Sequence, residues 1–244
     1  MSLFAGARSV LFVHAHPDDE TLATGALIAW LVAQGVTCRV LTATRGERGE
    51  LVAGRFPDGL AGEDFVARRT IELAGALREL DAGEPEFLGE GRARAAGRPP
   101  RRYQDSGMRW VREGLAGPAE DSGPDSLTAA DAAEAVADLV AAITAAAPDL
   151  VVTYDAAGGY GHPDHIRVHE LSQRACAEAG VPLLELISDP DAPGEWHDLA
   201  DQQPVVAAAL EHHQTQLTVD GRDVVHSGGQ RVPMQLRIGV RPSA

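Results

Sequence analysis

Two short stretches hold the residue types that could do chemistry. His14-Ala15-His16-Pro17-Asp18-Asp19-Glu20 places imidazoles and carboxylates side by side, and Gly158–His165 (GGYGHPDH) adds Tyr160, His162, Asp164 and His165. Neither stretch holds a thiolate, so a metal would meet nitrogen and oxygen donors. Such a set suits Zn²⁺, with Fe²⁺ a rival wherever two histidines and one carboxylate converge. A catalytic zinc site takes three protein ligands and keeps one position open. His16, Asp19 and His165 would supply the three, leaving Asp18 beside the water as a base. The metal lowers the pKa of its water towards about 7. His162, protonated or as a neutral donor, would stabilise an oxyanion or protonate a leaving group. Either cluster alone is ordinary, since carboxylates commonly cap helices. Together, at equivalent strand ends of one sheet, they predict a metal site. His169 follows His165 by four residues, but no glutamate accompanies it as in the helical zinc-protease motif, so it stays outside the ligand set.

The elements that must position these residues follow from hydrophobic spacing and stop signals. Strands are expected at Ser9–Ala15, Thr37–Thr42, Glu86–Leu88, Leu150–Tyr154 and Pro182–Ile187. Helices are expected at Thr21–Gln34, Asp64–Leu80, Asp131–Ala146, His165–Ala179 and Pro204–His213. Strands alternating with helices predict an α/β fold, a Rossmann-like, mostly parallel sheet with helices on both faces. Both clusters then fall at carboxyl ends of parallel strands, the edge where ligands bind in open α/β sheets. His14 shares strand parity with His16 but sits deeper, and reads as a buried polar neighbour. Trp30 lies on the apolar stripe of its helix and reads as core. Glu47 and Glu50, after the second strand, read as turn carboxylates. The long Gly89–Ala130 stretch is expected to be a loop or lid insertion in a single domain spanning residues 1–244. Its arginines (Arg92, Arg94, Arg98, Arg101, Arg102) read as a solvated face, since no aromatics interleave with them.

Composition excludes several classes. The 244 residues are 44% hydrophobic and 23% charged, enough for a real core. The formal net charge is −15, and all 21 basic residues are arginine. A strongly acidic protein repels phosphate backbones and anionic bilayers, so neither nucleic acid nor membrane is an expected partner. Cys38 and Cys176 have no metal or redox spacing and read as small buried apolar residues. No apolar run reaches the roughly 20 residues of a membrane span. No secretory leader is recognised before Ser9, and a cytoplasmic protein is the expectation.

The ordered motifs AHPDDE (Ala15–Glu20), TRGERGE (Thr44–Glu50), QDSGM (Gln104–Met108) and GGYGHPDH resemble the LmbE-like, or PIG-L, zinc-dependent N-deacetylases. The likeness runs from about Ser9 to Leu217, and TRGERGE with DSGM narrows it to the actinobacterial mycothiol-type branch. That branch includes a GlcNAc-inositol deacetylase and a mycothiol S-conjugate amidase. The resemblance implies zinc on His16, Asp19 and His165, with Asp18 as general base. It implies that His162, oriented by Asp164, stabilises the oxyanion or acts as acid, and that Tyr160, on a mobile loop, helps polarise the carbonyl. It places Arg69 and Asp105 at sugar-binding positions, with Met108 and His213 as further substrate contacts. The chain departs from the branch at Asp155-Ala156-Ala157, where a Pro or Glu and an Asn usually precede the glycines.

The reaction so implied is zinc-dependent hydrolysis of the N-acetyl amide of a 2-acetamido sugar conjugate, GlcNAc-inositol or a glycosylated natural product, releasing acetate and a free amine. Three alternatives stand beside it. An amidase acting on a larger mycothiol-type conjugate would use the same residues. A metal-dependent sugar-binding protein without turnover would need neither Asp18 nor His162. A nucleotide-binding Rossmann protein would need a glycine fingerprint after the first strand, where His-Pro-Asp-Asp stands instead.

Overall fold

The computed structural model describes residues 2–56, 59–112 and 115–243. The chain forms β1 (Ser9–His14), α1 (Asp19–Ala33), β2 (Thr37–Thr42), α2 (Gly62–Glu79) and β3 (Glu86–Phe87). The antiparallel pair β4 (Arg109–Arg112) and β5 (Leu115–Gly117) precedes α3 (Ala132–Ala146) and β6 (Leu150–Thr153). A single turn, α4 (Gly158–Gly161), leads into α5 (Pro163–Ala179), then β7 (Leu183–Leu186), β8 (Glu195–Asp198) and α6 (Gln203–Leu210). The last strands are β9 (Leu217–Asp220), β10 (Asp223–His226), β11 (Arg231–Pro233) and β12 (Arg237–Pro242).

The main sheet has seven strands in the order β3-β2-β1-β6-β7-β12-β8. From β3 to β7 all neighbours are parallel, with Phe12 opposite both Val40 and Val152. Alternation along the strands separates two cores. Val10, Phe12, Val40 and Val152 pack with α1, α2 and α6, whereas Leu11, Val13, Leu41 and Val151 pack with α3 and α5. Helices therefore cover both faces, and continuous apolar strands are what a doubly covered parallel sheet requires. The strand order reverses direction at β1, with β2 on one side and β6 on the other. The crevice above the carboxyl ends of β1 and β6 is the topological switch point, and both histidine clusters lie there.

The structure departs from the sequence reading in four places. First, the two chemistry-bearing helices begin two residues earlier, because each has a cap outside the apolar pattern. Asp18 precedes α1, and His162 Nδ1 caps α5 by accepting the Asp164 N–H at 3.1 Å, with Pro163 in the first turn. Asp19 and His165 thus sit on first helical turns. Second, the sheet continues past β7 through β12 and β8, both missed. β12 runs antiparallel to each of its neighbours, and its Gly239 lies where a Cβ would press on the Trp196 ring. Third, β9, β10 and β11 form a small antiparallel sheet that the spacing did not reveal.

Fourth, the arginine-rich stretch is not simply a solvated face. The Arg94 side chain is only 8% exposed and donates to Asp138 Oδ2 at 2.6 Å and Glu134 Oε1 at 2.8 Å on α3. Tyr103 OH donates to the same Asp138 oxygen at 2.8 Å, and the Tyr103 ring is fully buried. Arg92, Arg98, Arg101 and Arg102 also pair with carboxylates. A charged stretch without apolar periodicity hides such anchors, because the partners lie on a distant helix. Cys38, Cys176 and His14 are buried as expected. Among the described residues no helix is long and apolar enough to cross a membrane.

Candidate metal centre and active site

Asp18 stands between β1 and α1 with φ 106° and ψ −31°, a conformation that costs a non-glycine residue on the order of 1–3 kcal/mol. Its surroundings hold it there. The Asp18 N–H donates to Glu20 Oε2 at 2.8 Å, and the Arg69 guanidinium lies 3.2 Å from Asp18 Oδ2. Burial pushes the Asp18 carboxyl up to about 6, against the opposing pull of Arg69.

His16, Asp19 and His165 converge beside it. Asp19 Oδ2 lies 3.2 Å from His16 Nδ1 and 3.3 Å from His165 Nε2. The hydrogen-bond partners on the far sides of the rings set the tautomers. His165 Nδ1 faces the Gly158 carbonyl at 3.2 Å, and a carbonyl can only accept, so Nδ1 carries the proton. His16 Nε2 faces the Asp164 carboxylate at 3.1 Å, so in the neutral ring Nε2 carries the proton there too. The remaining nitrogen of His165, Nε2, then directs a lone pair towards a carboxylate oxygen, and His16 Nδ1 does so when its ring is neutral. His165 Nε2 is buried with no hydrogen-bond partner. Acceptors facing acceptors at this range repel unless a proton or a metal cation lies among them. The edge of a tetrahedron with zinc–ligand bonds near 2.0–2.1 Å is about 3.3 Å, which these two of the three donor separations match. Among the described residues, the groups whose donor atoms all lie within 4.8 Å of one another are His16, His162 and His165, and His16, Asp105 and Asp164.

Carboxylates surround His16. Asp164 Oδ2 accepts from His16 and from the Ser106 N–H at 2.9 Å, and Asp105 Oδ1 lies 3.6 Å from His16 Nε2. Burial opposes protonation of His16, but Asp105, Asp164 and Asp19 outweigh it and hold its pKa well above the ordinary value. Burial likewise pushes the Asp19 carboxyl up, but His165 and His16 hold it well below the usual range. A divalent cation bound in place of the ring proton would release that proton.

The remaining expected residues fall into three groups. His162 is buried, and burial with its His16 and His165 neighbours lowers its pKa to about 4. Its Nδ1 accepts a backbone N–H, so the neutral ring carries its hydrogen on Nε2. Asp164 reaches His162 through that N–H alone; its carboxylate serves His16. Tyr160 and Met108 are exposed at the rim, Tyr160 with its ring edge-on to His162 and His165. Arg69, Asp105 and His213 are buried inward. Arg69 donates to the Gly46 carbonyl at 2.6 Å and to the Pro17 carbonyl as well as facing Asp18. His213 Nε2 faces Glu20 Oε1 at 2.9 Å, behind Asp18. His169 Nδ1 donates to the Tyr154 carbonyl at 3.0 Å and is no part of the cluster.

The TRGERGE stretch wraps this centre. Gly46, at φ 63°, lies where a Cβ would overlap the Arg69 guanidinium, so only glycine lets Arg69 reach Pro17 and Asp18. Glu47, read from sequence as a turn carboxylate, accepts the Asp105 N–H at 3.0 Å. Tyr154, read only as the end of a strand, donates from its hydroxyl to Asp19 Oδ2 at 2.8 Å. Nothing in the spacing marked it.

A buried His/Asp cluster at the switch point of a mostly parallel sheet defines an α/β protein whose centre offers nitrogen and oxygen donors of the kind a divalent cation takes. Residues 11–176 match the family model described as PIG-L: GlcNAc-PI de-N-acetylase, and the chain belongs to this family of amide-hydrolysing enzymes. Two similar proteins carry the name 1D-myo-inositol 2-acetamido-2-deoxy-alpha-D-glucopyranoside deacetylase. The one from Kineococcus radiotolerans is 36% identical over 87% of this chain and 70% of its own length. The one from Rhodococcus opacus is 41% identical over 84% of this chain, which spans 64% of that protein. Among solved structures, the N,N'-diacetylchitobiose deacetylase of Pyrococcus horikoshii aligns with a TM-score of 0.62 over 86% of this chain and 71% of its own, at 20% identity. At that identity the likeness is one of fold.

Proposed function

We propose that this protein is a Zn²⁺-dependent N-deacetylase that hydrolyses the N-acetyl amide of a 2-acetamido-2-deoxy sugar conjugate, with GlcNAc-inositol the first candidate substrate and Fe²⁺ the alternative cation. One observation carries the metal reading: His16 Nδ1 and His165 Nε2, their opposite nitrogens committed elsewhere, both face Asp19 Oδ2, at 3.2 and 3.3 Å. The acetamido-sugar reading rests on the names of the relatives and their identity across most of this chain. When bound, zinc supplies Lewis acidity that polarises a carbonyl and acidifies water.

The chain's own residues supply the rest. Asp18, with its carboxyl pushed up to about 6, is mostly ionised at neutral pH yet basic enough to take a proton from water. The same carboxyl then holds the proton for the departing amine. The His162 Nε2–H donates to the carbonyl oxygen as negative charge develops on it. Its low pKa keeps the ring a neutral donor, so it gives up no proton to reset. Tyr160, at the exposed rim, closes on the substrate from the solvent side. Arg69 and His213 act by holding Asp18 and Glu20, and Asp105 and Asp164 by orienting His16. Met108 is left to contact the conjugate beyond the sugar.

The test is acetate release from a panel of N-acetylglucosamine conjugates by native, chelator-stripped and zinc-restored protein. Release lost on stripping and regained with zinc supports the proposal, and the preferred conjugate names the substrate. Zinc-loaded protein that cleaves none of the acetamido sugars but does cleave larger mycothiol-type amides overturns the substrate assignment. Inactivity on both classes overturns the enzymatic reading.

A further inference from the structure

Tyr154 sits where β6 ends, and its side chain makes several distinct contacts in the centre. Its hydroxyl accepts the Ala15 N–H at 3.0 Å and donates to Asp19 Oδ2 at 2.8 Å. Its ring stacks on the His165 imidazole, with centroids 4.1 Å apart and planes 7° from parallel. It therefore touches two of the three residues proposed to hold the cation, and the backbone leading to the third.

Which way the phenol hydrogen points follows from the groups behind it. Thr24 Oγ1 donates to the Glu20 carbonyl at 2.8 Å, so it must accept from His14 Nε2, 2.9 Å away. His14 Nδ1 is then a bare acceptor, 3.3 Å from the Tyr154 oxygen. Two acceptors thus compete for one phenol hydrogen, His14 Nδ1 at 3.3 Å and Asp19 Oδ2 at 2.8 Å. The nearer one is charged, and charge-assisted bonds are shorter and stronger. The hydrogen belongs to Asp19.

The backbone of Tyr154 is fixed as well. Its carbonyl accepts from His169 Nδ1 at 3.0 Å, which gives that histidine, so close to His165 on α5, a use of its own. Strand β6 and helix α5 thereby lock the phenol from both ends of the residue.

We infer that Tyr154 is a positioning residue of the metal centre: its O–H···Oδ2 bond fixes the rotamer of Asp19, and its ring face fixes the plane of His165. This rests on the reading of His16, Asp19 and His165 as ligands. Partners that orient ligating side chains commonly contribute about 10- to 100-fold to metal affinity.

The experiment is zinc affinity by chelator competition for wild type, Tyr154→Phe and His14→Phe, beside the thermal stability of each metal-free protein. Y154F keeps the stacked ring and loses only the donor. H14F disturbs the same buried network without touching Asp19. The expected result is zinc binding weakened about 10-fold or more in Y154F and within about threefold of wild type in H14F, even where metal-free stability falls equally. Equal losses of affinity in both variants, or none in Y154F, overturn the inference. Wild type that fails to bind zinc overturns the ligand reading instead. If Y154F does not fold, 3-fluorotyrosine at position 154 replaces it. Its fluorine, beside the hydroxyl, should shift on zinc addition, and an unmoved resonance overturns the inference.

Discussion

Replacing Arg69 tests whether this residue holds the base or the sugar. Its guanidinium lies 3.2 Å from Asp18 Oδ2, and the Asp18 side chain is 14% exposed. Two unit charges at that distance attract by about 1 kcal/mol in bulk water and about 5 kcal/mol at an effective dielectric of 20. One pKa unit corresponds to about 1.4 kcal/mol, so the pair holds the Asp18 pKa down by about 1 to 4 units. Partial solvent access favours the lower part of that range, about 1 to 2 units. The sign is fixed: removing a neighbouring cation raises a carboxyl pKa, and a base works only above its pKa. Arg69→Met should therefore move the acid limb of the kcat/KM profile to higher pH by about 1 to 2 units. The loss of activity should then be concentrated on the acid side of the profile and recovered at higher pH. Arg69→Lys restores the charge without the planar fork and should recover most of the shift. The assay is acetate release between pH 5 and 9 on protein shown to be folded and metal-loaded. An unmoved acid limb together with a raised KM would refute the reasoning and return Arg69 to the sugar-binding role implied by resemblance.

Other consequences follow from the same geometry. Asp18→Ala should keep zinc, since Asp18 is outside the proposed ligand set, yet lose about 10²–10⁴ in kcat; a near-wild-type rate would sink its role as base. Zinc at about 1,000 times its dissociation constant should stabilise the fold by about 4 kcal/mol, raising Tm by roughly 10 °C for a chain of this size; scanning calorimetry of stripped and loaded protein reads this directly. Zinc binding near neutral pH should release a proton from His16, because three carboxylates hold it charged in the metal-free state; calorimetric binding enthalpies that do not vary with buffer ionisation enthalpy would contradict this. Asp138→Ala should cost about 3–5 kcal/mol in urea unfolding, since it leaves Arg94, the Tyr103 hydroxyl and the Ala95 N–H without their shared acceptor. A loss under about 1 kcal/mol would mean that the arginine-rich stretch is held by packing alone.

The sequence by itself determined the parallel part of the sheet and which histidines and carboxylates stand at its carboxyl edge. Apolar strand runs and helical stripes depend on neighbours a few residues away, so β1, β2, β6, α1, α2, α3 and α5 were legible to within a residue or two, and α6 to within three. His16, Asp18, Asp19, His162 and His165 were legible for a similar reason: each cluster is contiguous, and few arrangements put so many metal-binding groups within one turn. What the sequence left open was set by contacts far along the chain. β8 and β12 pair across an antiparallel edge that no local pattern marks. The inward direction of Arg69 depends on Gly46, and Glu47 finds its use only when Asp105 reaches it from a segment 58 residues away. Tyr154 looks like any aromatic closing a strand until β1, β6 and α5 bring Asp19 and His165 to its hydroxyl and its face. Local spacing names the donors; tertiary packing decides which nitrogen is bare, which carboxylate is held, and which residues stand behind them.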